Sequence, residues 1–286
     1  MQMTVQQFFK QFKDDEACLE HLFNVRFGQG HECPKCERPA QWYRIKAERA
    51  YSCQWCGHHL HPTVGTPFEK SRTSLQLWFY AIYLFTTTRH GVSAKELQRQ
   101  LGVTYKTAWR MGHEIRKHMA EVDGDEPLSG AVEVDETLIG GKEQGKPGRS
   151  IGNKTVVMGM MERGGDIMTV VVPDIKRASL HPQVLENVEE GSTVYTDALW
   201  SYRGLDKMGY EHEIVNHSKG EYVRGEAHVN GIEGYWRNLK AGINSTHVHV
   251  SGEYLGNYAK EFEYRFNRRE EPWTMLPELL SVFRRS

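Results

Sequence analysis

Four cysteines in a C-x2-C-x16-C-x2-C pattern constrain this chain more than any other feature: Cys33-Pro-Lys-Cys36 and Cys53-Gln-Trp-Cys56. Each pair places two thiolates on one tight knuckle. Two knuckles on facing hairpins close a tetrahedral site at about 2.3 Å per Zn–S bond. Four sulfur ligands leave no open coordination position, so the expected zinc is structural. Two disulfides would use the same residues, but they need an oxidising compartment. The start, MQMTVQQFFKQFKDDEACLEHL, lacks the basic residues and apolar stretch of a secretory signal, so the expected compartment is the cytoplasm. Trp42, Tyr43, Ile45, Tyr51 and Trp55 flank the knuckles and are expected to form the ribbon's small core. Cys18 has no partner cysteine; at helical spacing with Leu19 and Leu22 it is expected in a core. His58, His59 and His61 follow the second knuckle and are expected on a surface or loop.

The rest of the chain is ordinary in bulk and uneven in detail. Of 286 residues, 39% are hydrophobic and 26% charged, which excludes a fully disordered chain. No apolar run approaches the length of a membrane-spanning helix. The net charge of −1 hides two blocks: residues 71–120 carry +6 and residues 121–215 carry −9. A basic block beside an acidic one points to a DNA-contacting module joined to a carboxylate-rich one.

The basic block has the pattern of a helix-turn-helix. Residues 74–87 are apolar enough for a buried helix. Ser93-Ala-Lys-Glu96 has the form of a capping box opening a second helix that ends at Gly102. Thr104 then caps a third helix, with Ala108, Met111, Ile115 and Met119 on one face. A basic helix following a Gly-containing turn is the DNA-reading arrangement, with Tyr105, Lys106, Arg110, Arg116 and Lys117 as candidate contacts to phosphates or base edges.

The acidic block reads as α/β. After a polar linker at 121–130, strands are expected at 131–139, 155–162 and 167–172, the last two joined by a Gly164-Gly165 turn. A helix over 180–190, a strand at 192–197, a short helix over 202–208 and a strand at 211–216 follow, then helices over 228–243 and 254–268. Three antiparallel-like strands, then alternating helices and strands, is the RNase-H-like order: a mixed sheet flanked by helices. Gly140-Gly-Lys-Glu-Gln-Gly145-Lys146 imitates a P-loop, but Pro147 stands where the Mg²⁺-binding hydroxyl belongs, so ATP binding is excluded. Lys142, Lys146, Arg149 and Lys154 make this a basic loop suited to DNA phosphates.

Three carboxylates carry the expected chemistry. Asp135 lies on the first strand of this block and Asp197 ends the fourth; in this order the two strands are neighbours. Glu233 lies on the helix over 228–243, separated from Asp197 by 35 residues. Val229, Ile232, Trp236, Leu239 and Ile243 form that helix's buried stripe. Asn230, Glu233, Arg237 and Lys240 run about 100° round from it and face a cleft. Such oxygen donors suit two Mg²⁺ ions about 4 Å apart for phosphodiester chemistry. Lys240 and Arg237 would bind the DNA backbone or the developing phosphorane charge, which makes Lys240 a candidate catalytic residue beside the carboxylates.

The two Cys pairs, LGVTYKTAWRMGHEIRKHM, VEVDETLIGGK, VYTDALWSY, HVNGIEGYWRNLKAGI and EFEYRFNRR occur in one order over about residues 15–270. In these blocks the chain resembles insertion-sequence transposases with an N-terminal zinc ribbon and a DDE-type, integrase-like catalytic domain. The resemblance implies DNA cleavage and 3′-OH strand transfer, dependence on Mg²⁺ or Mn²⁺, terminal inverted repeats and target DNA as partners, and homo-oligomers on paired ends in a prokaryotic cytoplasm. It implies Asp135, Asp197 and either Glu233 or Asn230 as metal-binding residues. The expected domains are 1–66 (N-terminal helix and zinc ribbon), 67–122 (helix-turn-helix) and 123–286 (catalytic). The rival reading is a domesticated, sequence-specific DNA-binding protein without chemistry, against which the three intact carboxylates count.

Overall fold

The computed structural model describes residues 2–124, 126–141, 152–215, 229–247 and 249–283. The chain divides into two compact units, 1–122 with 271–286, and 123–270.

In the first unit, helices α1 (Val5–Gln11) and α2 (Asp15–Arg26) precede a three-stranded antiparallel sheet of β1 (Trp42–Ile45), β2 (Ala50–Cys53) and β3 (His59–Leu60). Cys18, Leu19 and Leu22 are buried on one face of α2, as their spacing predicts. Trp42 and Tyr51 are buried in the ribbon, whereas Tyr43 and Trp55 are exposed. The expected five-residue core is therefore smaller. Tyr43 alternates to the outer face of β1 after Trp42, and Trp55 rides outside the second knuckle with its Nε1–H donated to the Pro39 carbonyl at 3.0 Å.

Helices α3 (Leu75–Thr87), α4 (Ala94–Leu101), α5 (Tyr105–Asp123) and α9 (Met275–Ser281) complete this part of the chain. Ser74 caps α3 through the Leu77 N–H, and Ser93 caps α4 through the Glu96 N–H at 3.1 Å. The Glu96 carboxylate binds Arg99 and Gln100. Gly102 ends α4 at φ +65°, the left-handed turn that favours glycine, and Thr104 caps α5 through the Thr107 N–H. The sequence reading assigns residues 123–286 to the catalytic domain, but α9 packs within the first unit. There the Leu279 carbonyl lies 3.0 Å from His118 Nε2.

In the second unit, β4 (Ala131–Ile139), β5 (Thr155–Glu162), β6 (Ile167–Val172), β7 (Thr193–Asp197) and β8 (Glu211–Val215) form one mixed sheet in the order β6-β5-β4-β7-β8. The β4–β5 and β5–β6 pairs are antiparallel; β4–β7 and β7–β8 are parallel. This is the order that the alternation of elements predicts for an RNase-H-like domain. Helix α6 (Arg177–Asn187) covers one face with Val132, Val134, Val156, Met158 and Met160 beneath it. Helices α7 (Asn230–Gly242) and α8 (Gly252–Asn267) cover the other, over Val157, Met161 and Tyr195. The short helix expected over 202–208 is two single turns, Trp200–Tyr202 and Leu205–Met208, because Gly204 breaks it at φ +100°.

Strand β6 is an edge, and an edge strand exposes unpaired backbone groups. Helix α8 closes it. Glu263 accepts the Thr169 N–H at 2.7 Å, and the Asn267 side chain accepts the Ile167 N–H at 2.9 Å and donates to the Ile167 carbonyl at 3.1 Å.

Gly159 sits on β5 directly opposite Asp135. A Cβ there would lie 2.7 Å from the Trp236 ring and 3.0 Å from Ile232 Cδ1. The missing side chain is what lets α7 approach the sheet at this point. Gly159→Ala is expected to cost about 2 kcal/mol, as overpacking does. Thermal melting checks this; an unchanged melting temperature would mean that α7 does not depend on that space.

Candidate active site

The zinc site comes first because its chemistry is closed. Cys33 Sγ lies 3.6 Å from Cys56 Sγ, and Cys36 Sγ lies 3.9 Å from Cys53 Sγ. All four sulfurs fall within 4.8 Å of one another, and all are free thiols. Four sulfurs each about 2.3 Å from a central ion have edges of about 3.8 Å, so the spacing fits a tetrahedral structural zinc. Disulfides, with sulfurs about 2.05 Å apart, are excluded. His58, His59 and His61 stand apart from this set; His59 Nδ1 lies 3.6 Å from a Glu48 oxygen.

The carboxylates meet on the α7 face of the mixed sheet. In the parallel β4–β7 pair, Val134 is the register partner of Thr196, so Asp135 and Asp197 follow one step on. Their strands are adjacent, about 4.8 Å apart. Alternation turns Glu133, Asp135 and Tyr195 towards α7, and Glu136 to the other face, where it accepts the Tyr202 hydroxyl at 2.7 Å. Asp197 ends β7 by accepting the Leu199 N–H at 2.9 Å.

Helix α7 is pinned to β4 at two points. Trp236 Nε1–H donates to Asp135 Oδ2 at 3.0 Å. One turn earlier, the Ile232 N–H donates to Glu133 Oε2 at 3.1 Å. Val229 precedes the helix without a side-chain cap, so the Glu133 carboxylate from the neighbouring strand does the capping. Glu133 is 1% exposed and its other oxygen takes the Arg163 Nε–H at 3.1 Å. The Arg163 guanidinium lies 3.8 Å over the Tyr195 ring on β7. Glu133, Arg163 and Gly159 escape the sequence reading as site residues. An acid two positions before Asp135, and a glycine inside an apolar strand, are the signals that point to them.

With α7 held this way, Val229, Ile232, Trp236, Leu239 and Ile243 are buried, and Asn230, Glu233, Arg237 and Lys240 are all exposed on the adjoining stripe. Burial pushes the Asp135 carboxyl up to about 7, helped by the negative charges of Glu136 and Asp197 and opposed by the Trp236 N–H. Glu136 is raised too, first by burial, while the Tyr202 hydroxyl opposes the shift. Burial lowers the Lys240 ammonium, and the negative charge of Asp135 works against that shift. Lys240 therefore stands within electrostatic reach of Asp135.

The candidate DNA contacts of the basic block divide. Tyr105 and Lys106 are exposed at the start of α5, with the Lys95 ammonium 5.1 Å from the Tyr105 ring. Lys117 is exposed and pairs with Glu114 at 3.1 Å. Arg110 is half-buried, donating to Ser71 Oγ at 3.2 Å beside the Trp78 ring. Arg116 is a correction. It is 2% exposed, donates to the Val92 carbonyl at 3.1 Å and lies over Phe85, so it does not face DNA. It falls one turn after Gly112 and one before Met119, inside the buried stripe. Lys142, with Lys146 and Arg149, lies outside the described residues; Lys154 is half-buried.

Between the ordinary value of 3.8 and about 7, folded Asp135 keeps a proton that the unfolded chain has released. Stability from this group therefore falls as pH rises through that window. Without added divalent cation, Asp135→Asn is expected to melt higher than the wild type at pH 8, with the gap closing towards pH 4. Equal melting curves at both pH values would show that the charge of Asp135 is not held against the fold.

Comparison with known proteins gives the family. Residues 127–267 match the ISXO2-like transposase domain, and residues 13–59 match the transposase zinc-ribbon domain. A protein in the transposable element ISH50 of Halobacterium salinarum is 29% identical over 276 residues, covering 90% of this chain and 92% of its own length. A transposase-like protein of Haemophilus influenzae is 36% identical over 104 residues, 36% of this chain and 83% of its own length. Among solved structures, the Mos1 transposase paired-end complex with left transposon end is similar over 63% of this chain and 73% of its own, at 14% identity and a TM-score of 0.23. The four-cysteine ribbon, the domain matches and the shared sequence give one conclusion: the chain belongs to the zinc-ribbon, ISXO2-like transposase family.

Proposed function

We propose that the chain cuts DNA at the ends of its element and joins the freed 3′-OH to target DNA. The observation that carries this reading is the pairing of Asp135 and Asp197 on adjacent parallel strands, on the face covered by α7. In the first reaction, water oxygen bonds to phosphorus and the 3′ oxygen leaves as a hydroxyl. In the second, that hydroxyl attacks a target phosphodiester and displaces the target's own 3′ oxygen.

The donor set fits divalent cations of the Mg²⁺ class. The ligands are hard carboxylate oxygens. Burial, with the neighbouring charges of Glu136 and Asp197, raises the Asp135 carboxyl to about 7, and a bound cation would favour its ionised form. Asp135, Asp197 and Glu233 would hold the ions, with Asn230 one turn before Glu233 on the same stripe. When bound, such ions activate the attacking oxygen and neutralise the leaving one. The chain's residues do the remainder. Trp236 and Leu199 N–H groups fix one oxygen of each aspartate. Lys240 and Arg237 lie along the exposed stripe and would take the phosphates that flank the reacting one. Tyr105, Lys106 and Lys117 on α5 would contact the end sequence. Multimers on paired ends belong to the same reading.

The test uses purified protein and DNA containing the inverted repeats that flank its gene. Wild type is expected to nick at the repeat boundary in Mg²⁺ or Mn²⁺. Asp135→Asn and Asp197→Asn should each lose cleavage by about a thousandfold, the upper end of the range seen when an essential electrostatic group is removed, while still shifting the DNA in a gel. Cleavage retained in either variant overturns the assignment. A wild type that binds the repeats and never cuts them favours the non-catalytic DNA-binding reading.

A further inference from the structure

Trp200 is 63% exposed, more than any other large apolar side chain among the described residues. It lies three residues after Asp197, so its backbone is within about 11 Å of that carboxylate's. The exposure does not come from a loose loop. Leu199 N–H is held by Asp197 Oδ1 at 2.9 Å, the Ser201 carbonyl lies 2.9 Å from His181 Nε2, and the Tyr202 hydroxyl reaches Glu136 at 2.7 Å. Tyr202 itself is fully buried. The turn is thus anchored on both sides of Trp200, with the indole left outside.

A second side chain completes the surface. The Arg177 guanidinium, from the first turn of α6, lies 5.0 Å from the Trp200 ring. Arg177 is exposed and pairs with no carboxylate among the described residues. An indole face beside an unspent cation attracts a flat π-system attached to a negative charge. A nucleotide base on its phosphate has that composition. A base inside a duplex presents only its edges, because its faces are covered by its neighbours, so the ligand must be unpaired and unstacked.

We propose that Trp200, backed by Arg177, is a stacking platform for one unpaired base beside the phosphodiester held at Asp135 and Asp197. This rests on the DNA-cutting reading above. The turn that carries Trp200 is tied to Asp197 through the Leu199 N–H, which places that base within a few nucleotides of the reacting phosphate. Stacking there would hold the strand open at the point of cleavage.

The test places 2-aminopurine, one position at a time, at the three nucleotides on either side of the cleavage point, left unpaired within the element-end duplex. Full-length protein is added without divalent cation, so that no strand is cut. Wild type is expected to quench the fluorescence at one position. Trp200→Ala should lose that quenching and bind the unpaired substrate roughly tenfold more weakly. Trp200→Phe should keep part of both, and Arg177→Ala should weaken binding while quenching remains at saturation. Thermal melting and bound zinc equal to wild type would show that the variants fold. Quenching that survives in Trp200→Ala, or is absent from wild type at every position, overturns the platform. Wild-type cleavage in Mg²⁺ is measured separately. Trp200-dependent quenching without cleavage would retain the platform and remove the reaction; cleavage without quenching would do the reverse.

Discussion

Two acidic side chains of β4, Glu133 and Asp135, hold α7 to the sheet, and the candidate site depends on that clamp. Strand alternation turns both to one face. Glu133 takes a backbone N–H from the first turn of α7, and Asp135 takes the indole N–H of Trp236 one turn on. The helix therefore runs along β4 in the strand's own direction. Its rotation is set as well: Trp236 must face inward over Gly159, so Glu233 and Lys240 must lie on the adjoining open stripe. A buried charge with its partner removed is expensive, by about 3–5 kcal/mol. Arg163 supplies the opposite charge beside buried Glu133 at the helix end.

The same clamp creates electrostatic tension. Asp135 and Asp197 are placed side by side, with Glu136 adjacent in sequence, and burial raises the first of them to about 7. A fold optimised for stability alone would not gather these charges. Clustered, raised carboxyls of this kind are a mark of functional sites, and they motivate the cation-binding role proposed above. The zinc ribbon is the opposite case. Its four thiols are matched to one ion and leave no valence open.

Much of this architecture is legible in the sequence. The strands over 131–139, 155–162 and 167–172 stand where their β-rich runs place them, because apolar strands bounded by glycine and polar turns have few alternatives. The alternation of helices and strands predicts the central pairing of β4 with β7, and so the meeting of Asp135 and Asp197. The buried stripe of α7 follows from its 3.6-residue period. What the sequence hides are contacts that depend on the third dimension. Arg116 looks basic and available, but helical geometry carries it inward between Phe85 and the Val92 carbonyl. Tyr43 and Trp55 look like core residues, but strand alternation and the knuckle turn them outward. Glu133 looks like one more surface acid; only its position opposite the start of α7 reveals its use.

The central claim is that Asp135, Asp197 and the open stripe of α7 make one cation site. Anomalous scattering from crystals grown with Mn²⁺ tests it directly, since zinc at the four cysteines provides an internal reference at its own absorption edge. The account predicts Mn²⁺ between the carboxylates of Asp135 and Asp197, with Glu233 or Asn230 completing the coordination, and loss of that signal in Asp197→Asn. Mn²⁺ bound elsewhere, or a site that persists unchanged in Asp197→Asn, would contradict it.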